Sequence, residues 1–297
     1  MIETVVRKEK IAFIINPKSG TQQKQTIPET INKILDGSKF ESVFFFTKCP
    51  GHATEVTTSL IKENYDRIIA VGGDGTVNEV AKAMIDTHVA FGIIPCGSGN
   101  GLARFLNIPM KLEDAILLQN KGKRLSIDYG RINDHPFFCT CGVGFDAHIG
   151  NRFAQAAKRG LWTYVKETFS AYFSYKPKKY SVKIDGEKIK TRAFLITVAN
   201  AGQYGNDAYI APQADICDGI LDICILNPFP MRKAIGLGFR LFNKTMDKSE
   251  FVTVFKGKEI VIKRKKEGEV HLDGEPAIMG KKLKIKIIPK GLDVIVP

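Results

Sequence analysis

In residues 10–105, short apolar runs alternate with helix-like patterns, and each run stops at a turn rich in glycine, proline or asparagine. The runs fall at 10–15, 41–47, 68–71 and 90–94. The turns are Asn16-Pro17-Lys18-Ser19-Gly20, Thr47-Lys48-Cys49-Pro50-Gly51-His52, Gly72-Gly73-Asp74-Gly75-Thr76 and Pro95-Cys96-Gly97-Ser98-Gly99-Asn100-Gly101. Strands separated by helices of about ten to fifteen residues predict βαβ units and a parallel sheet. Ligands of such sheets bind at the carboxyl ends of the strands, where all four turns are expected.

After about residue 126 the pattern changes. β-type runs at 137–141, 180–184, 193–200, 221–226, 251–255, 259–263 and 283–288 are separated by turn residues, which predicts a mainly antiparallel sheet domain. Helical inserts are expected near 146–175 and 231–245. No flexible linker marks 125–130, so two packed lobes with a cleft are expected. They are an α/β nucleotide-binding domain over 1–127, to which 289–297 can return, and a β-rich substrate domain over 128–288.

Gly72-Gly73-Asp74-Gly75-Thr76 carries the sharpest chemical signal. Glycines let the backbone turn tightly and approach a ligand. The first N–H groups of the next helix favour an anion. A plain turn needs one or two glycines and has no use for the carboxylate of Asp74. A carboxylate among such amides calls for a cation or a proton in transit, so the ligand is expected to be a metal-bearing polyphosphate, ATP first. Ser98 and Asn100 add hydroxyl and amide partners for phosphate. The stretch from Gly92 to Ser98 has P-loop glycine spacing but lacks the lysine. Gly142-Val143-Gly144-Phe145-Asp146-Ala147 has dinucleotide-fingerprint spacing, but it sits in the antiparallel part and reads as a strand-to-helix turn. Asp218-Gly219 and Asp273-Gly274 both suit hairpin turns. Hairpins do not require Asp215 or Glu275 beside them, and clustered carboxylate and carbonyl oxygens suit Mg²⁺ or Ca²⁺.

The formal charge of +13, from 44 Lys and Arg against 31 Asp and Glu, suits a polyanionic partner. No aromatic stacking motif or recognition helix points to nucleic acid. Six cysteines without a CxxC pair predict reduced thiols and a cytoplasmic location. No apolar run approaches spanning length, so contact with an anionic membrane would be peripheral. One candidate wall for an apolar acceptor is the helix-spaced set Leu161, Tyr164, Val165, Thr168, Phe169, Tyr172 and Phe173. Lys158, Arg159, Lys176, Lys178 and Lys179 flank it. Its rival reading is a helix packed on its own sheet. A homodimer stays open.

The ordered series from Asn16 through Thr47, the 72–78 and 95–100 turns, 200–205 and 215–222 to Asp273-Gly274-Glu275 resembles the diacylglycerol-kinase-type lipid kinases of bacteria. These share a catalytic domain with sphingosine and ceramide kinases. The resemblance implies a doubly wound nucleotide lobe like that of NAD kinases and phosphofructokinases, with a β-sandwich-like second lobe. It also implies ATP-dependent, Mg²⁺-assisted phosphorylation of a lipid hydroxyl. Thr47, Gly72, Gly73, Asp74, Gly75, Thr76, Val77, Asn78 and Ser98 match ATP-binding positions, and Asn16 and Asn100 join that set. Glu275 matches the proton acceptor. Asp74, the runner-up for that role, would help hold the catalytic Mg²⁺. Asp218, with main-chain oxygens of Asp215 and Ile220, matches a second, structural cation site. Ser98-Gly99-Asn100 departs from the usual bacterial pattern toward sphingosine kinases, which leaves the acceptor open between diacylglycerol and sphingoid bases. An NAD kinase shares 72–76 but has a further Asn-Glu pair, whereas Asn78-Glu79 is the only one here. A non-catalytic nucleotide or lipid sensor is the alternative of another class.

Overall fold

Three of the four apolar runs of the first half are buried on both faces, the run at 41–47 is partly exposed, and all four pair in parallel. The computed structural model describes residues 7–19, 26–155, 172 and 175–297. It divides the chain into Met1–Ile127 with Lys290–Pro297, and Asp128–Pro289. In the first unit, chain order is β1 (Glu9–Ile15), α1 (Ile27–Ile34), β2 (Phe40–Phe46), α2 (His52–Lys62), β3 (Arg67–Gly72), α3 (Asp74–Met84), β4 (Ala90–Pro95), α4 (Gly101–Phe105) and α5 (Leu112–Lys121). The strands lie in the order β2-β1-β3-β4, all parallel. Residues of the chain's last strand extend the sheet, with Val294 beside Phe91 of β4.

Alternation along the strands sends side chains to two helical layers. Ile11, Phe13, Ile15, Ile69, Val71 and Ile94 pack with Ile27 and Ile31 of α1 and Ala115 and Ile116 of α5. Helices α2 and α3 contact each other, and they contact β1 and β3 respectively. α1 starts with Pro28 in its first turn, has Glu29 there and ends near Lys33, each favourable for its position. The sheet is thus doubly wound, and its order reverses between β1 and β3, the switch point where such sheets bind ligands.

The second unit begins within β5 (Lys123–Ile132). It continues with β6 (His135–Phe137), β7 (Thr140–Gly144), α6 (Phe145–Gln155), β8 (Lys178–Ile184), β9 (Glu187–Ala193), β10 (Leu195–Ala199), β11 (Leu221–Leu226), α7 (Ala234–Phe242), β12 (Val252–Gly257), β13 (Glu259–Lys263), β14 (Gly268–Leu272), β15 (Glu275–Met279) and the first part of β16 (Lys282–Val296). One antiparallel sheet runs β12-β11-β10-β7-β14-β15, and β16, β13, β8 and β9 pair antiparallel in another. Val143, Ile196, Val198, Ile223 and Ile225 of the first meet Val182, Ile184, Ile260, Ile262, Leu283 and Ile285 of the second in one core cluster. This is the sandwich expected from alternating strands. Phe145 and Ile149 of α6 and Leu237 of α7 join a second cluster with Phe194, Cys224 and Leu226.

Several local expectations need correction. Asp218-Gly219 is not a hairpin; it closes the loop that enters β11, with Gly219 at φ 70°. The strand expected at 283–288 does not stop there but continues through Pro289-Lys290-Gly291 as β16, with Lys290 at φ 52°, a bulge-like kink where proline is tolerated. Residues 142–147, by contrast, join β7 directly to α6 as the strand-to-helix turn expected of them. Leu161, Tyr164, Val165, Thr168, Phe169 and Phe173 of the proposed aromatic wall lie outside the described residues, as do Lys158 and Arg159. Tyr172 and Tyr175 are described, and both pack against Phe194, so these two side chains belong to the core.

Candidate active site

The four turns after β1, β2, β3 and β4 share the carboxyl edge of the first unit's sheet because all four strands run parallel. Side chains tie them together. Asn16, after β1, donates from Nδ2 to Thr76 Oγ1 at 3.1 Å across the switch point. Thr47 donates its N–H to the Ile15 carbonyl at 2.9 Å. Glu79 of α3 accepts the N–H groups of Gly51 and Ala53 at 2.9 and 3.1 Å. It therefore caps α2, whose own N-cap is Gly51 at φ 87°. The Glu79 cap carried no signal in the sequence, because Gly51 and Glu79 are 28 positions apart.

Asp74 is held more firmly than the sequence suggested. Its Oδ2 accepts the N–H of Asn100 at 2.9 Å and its Oδ1 that of Gly101 at 2.7 Å. The carboxylate thus caps α4 from a different turn, and peptide N–H groups supply partners besides the cation or proton expected there. Each oxygen keeps a second acceptor position for a metal or a water. The glycines are explained by the same contact. A Cβ on Gly97 would stand 2.6 Å from Gly73 Cα, and one on Gly99 would stand 2.6 Å from Asp74 Oδ2. The two glycine turns are therefore pressed backbone to backbone.

Other expected ligands divide by position. Gly73 is the N-cap of α3, whose first N–H groups lack intrahelical partners. Gly75 and Ser98 are exposed, whereas Thr76, Val77 and Asn78 are buried, and the Val77 N–H already donates to the Gly73 carbonyl at 3.0 Å. Asn100 uses its side chain on its own turn: Oδ1 accepts Gly97 N–H at 3.0 Å and Nδ2 donates to Gly97 O at 2.9 Å. Its φ of 51° is the left-handed conformation that asparagine tolerates. Asn78 Nδ2 is buried without a hydrogen-bond partner.

In the second unit, Glu275 is exposed and begins β15, directly after the hairpin turn Asp273-Gly274. Positive φ at both turn residues, 49° and 85°, makes the turn type I′. Asp273 accepts N–H groups from Phe138, Cys139 and Thr140 at 2.8, 2.7 and 2.9 Å. Asp273 is thus an anchor that positions Glu275. Below the hairpin lies a buried polar cluster missing from the sequence reading. Asp146 Oδ2 meets His271 Nε2 at 3.0 Å and accepts Thr197 Oγ1–H at 2.8 Å, and Tyr204 OH lies 2.6 Å from Thr197 Oγ1. Asp146 and His271 are 125 positions apart, which hides their pairing from any local motif.

Asp215 and Asp218 each cap their own loop, accepting the N–H of Cys217 and Ile220 respectively, both at 2.9 Å. Lys256 Nζ lies 3.8 Å from Asp218 Oδ2 and 3.4 Å from Asp222 Oδ2. Asp222 Oδ2 is buried and accepts no hydrogen bond. Burial pushes the Asp222 carboxyl above the usual carboxylate range, and Lys256 offsets this in part. Among the described residues no three His, Cys, Asp or Glu side chains are grouped as metal ligands. The metal-type donors here are oxygens only, and the buried Asp222 Oδ2 has the Lys256 ammonium, at 3.4 Å, as its charged neighbour. They fit a hard cation held by one carboxylate and main-chain carbonyls.

Residues 10–132 match the diacylglycerol kinase catalytic domain, and residues 139–296 match the YegS C-terminal NAD kinase beta sandwich-like domain. The chain belongs to the diacylglycerol kinase catalytic-domain family of bacterial lipid kinases. This lipid-kinase chain is 25% identical to the diacylglycerol kinase of Bacillus subtilis, over 90% of each chain. It is 28% identical to a "Probable lipid kinase YegS-like" of an Enterobacter species, over 96% of this chain and 95% of that one. A crystal structure titled as a diacylglycerol kinase from Bacillus anthracis superposes with a TM-score of 0.79 at 23% identity, covering 98% of both chains. At that identity the superposition speaks for the fold alone. Membership implies use of ATP and a lipid acceptor. No described helix is long and apolar enough to cross a membrane.

Proposed function

We propose that the chain transfers the γ-phosphoryl group of ATP to the hydroxyl of diacylglycerol or a closely related lipid. The observation that carries this reading is the pair of glycine turns locked by Asp74 at the carboxyl edge of a lipid-kinase family sheet, the first of them beside its switch point. Phosphoryl transfer needs position and charge neutralisation more than covalent help. The N–H groups that open α3, with the turn at Gly97 and Ser98, would hold the phosphates. Mg²⁺, when bound, offsets phosphate charge, and the remaining lone pairs of Asp74 are suited to hold it. Glu275, exposed and fixed by the Asp273 anchor, would accept the proton of the attacking hydroxyl. The Asp218 loop would hold a second cation away from the reaction.

The test is incubation with labelled ATP, Mg²⁺ and a panel of diacylglycerol, sphingosine, ceramide, phosphatidylglycerol and NAD. Label on diacylglycerol supports the proposal. Label on sphingosine alone would instead follow Ser98-Gly99-Asn100, and label on NAD alone, or on nothing, overturns it.

A further inference from the structure

α7 buries one side chain, Leu237, in the cluster with Phe194, Leu226 and Met246. Its other face is open. Ile235, Phe239 and Phe242 are 64%, 66% and 52% exposed. At 100° per residue these three fall within an arc of about 60°. Among the described large hydrophobic residues only Ile278 is comparably exposed, and the remaining exposed ones lie between 36% and 43%. Single exposed apolar side chains are ordinary, but a helical stripe of three marks a surface that meets something.

The charge around the stripe names its partner. From residue 223 to 246 the sequence has no acidic residue and four basic ones, Arg232, Lys233, Arg240 and Lys244. Arg232 and Lys233 stand just before the helix and Lys244 just after it. Lys233 reaches Glu250 at 3.2 Å, but both side chains are half exposed or more, so the pair is weak. Arg240 donates to the Thr245 carbonyl, and Lys244 lies over the Tyr209 ring at 4.3 Å. A second copy docking here about a two-fold axis would set these cations against their own counterparts. An apolar stripe with a cationic rim is instead the make-up of an interfacial helix.

We infer that α7 docks the protein on an anionic lipid bilayer. Ile235, Phe239 and Phe242 enter the headgroup boundary, and Arg232, Lys233 and Lys244 face lipid phosphates. The purpose of this contact rests on the lipid-kinase reading; its geometry does not.

The experiment is co-sedimentation of the full chain with vesicles of phosphatidylglycerol and phosphatidylcholine, against vesicles of phosphatidylcholine alone. The wild type is expected to prefer the anionic vesicles and to release them at high salt. The double variant Phe239→Ala, Phe242→Ala is expected to lose roughly tenfold or more in vesicle affinity. The double variant Arg232→Glu, Lys244→Glu is expected to lose the preference for anionic vesicles. Both should melt like the wild type and phosphorylate detergent-dispersed diacylglycerol at its rate. Unchanged vesicle binding in both variants overturns the inference. So does conversion of a dimer to a monomer in sedimentation with vesicle affinity intact, which would make the face a self-interface. If the wild type docks through this face yet labels no lipid, the kinase reading falls and the docking surface stands.

Discussion

Replacing Asp74 by asparagine separates two roles that the sequence could not distinguish. Each Asp74 oxygen accepts one backbone N–H, from Gly101 at 2.7 Å and Asn100 at 2.9 Å. Asparagine keeps one acceptor and turns an NH₂ group toward the other N–H. A hydrogen bond to a charged group contributes about 1.5–3 kcal/mol. Asp74 is partly exposed, so water can relieve some of the loss, and the lower half of that range applies. If all 297 residues melt together, the unfolding entropy is about 0.6 kcal/mol/K, and the melting temperature should fall by about 3 °C. The measurement is thermal unfolding by circular dichroism without nucleotide or metal, alongside turnover with labelled ATP. The sign is the useful part. A carboxylate that served only the reaction would leave stability unchanged or raise it when neutralised, since function often costs stability. A variant that melts at or above the wild-type temperature while losing activity would refute the capping role.

Four further outcomes follow from the same geometry. Glu275→Gln should lower turnover by about 10²-fold or more with the melting temperature unchanged, because the side chain is exposed; near-normal kcat would remove its assignment as base. Asp273→Ala should destabilise by about 3 kcal/mol or more in urea unfolding, since it leaves three N–H groups without their acceptor. Gly97→Ala should cost about 1–3 kcal/mol through the Gly73 contact, whereas Gly37→Ala, with nothing within 4 Å of its Cβ, should cost little. Asp222 has a raised folded-state pKa, so its contribution to stability is present below the unfolded pKa and lost as pH rises through the folded value. In EDTA, Asp222→Asn should therefore melt above the wild type at neutral pH, and its advantage should vanish as pH falls toward about 4; a pH-independent difference would contradict this.

The doubly wound unit was legible because buried parallel strands read as unbroken apolar runs and each ends at a glycine-bearing turn. β9 was not. Its sequence, EKIKTRA, carries charges on its exposed face and reads as a loop. β16 looked like two strands because proline and glycine usually break a ladder, and a local kink at Lys290 absorbs both. At the site, the glycine–aspartate motif was visible, but its meaning was only half visible. Asp74 is satisfied by main-chain N–H groups, which every residue but proline carries and no sequence motif marks. Asp146, Thr197 and His271 come together only because β7, β10 and β14 are neighbours in one sheet.

β16 also sets an order of events. The first unit takes its fifth parallel strand from residues 290–297, after the whole second unit in the chain. The part of the protein made first by a ribosome is therefore the part completed last. Until those residues emerge, β4 presents an open edge to the cell, and a fragment ending at residue 127 would keep that edge for good.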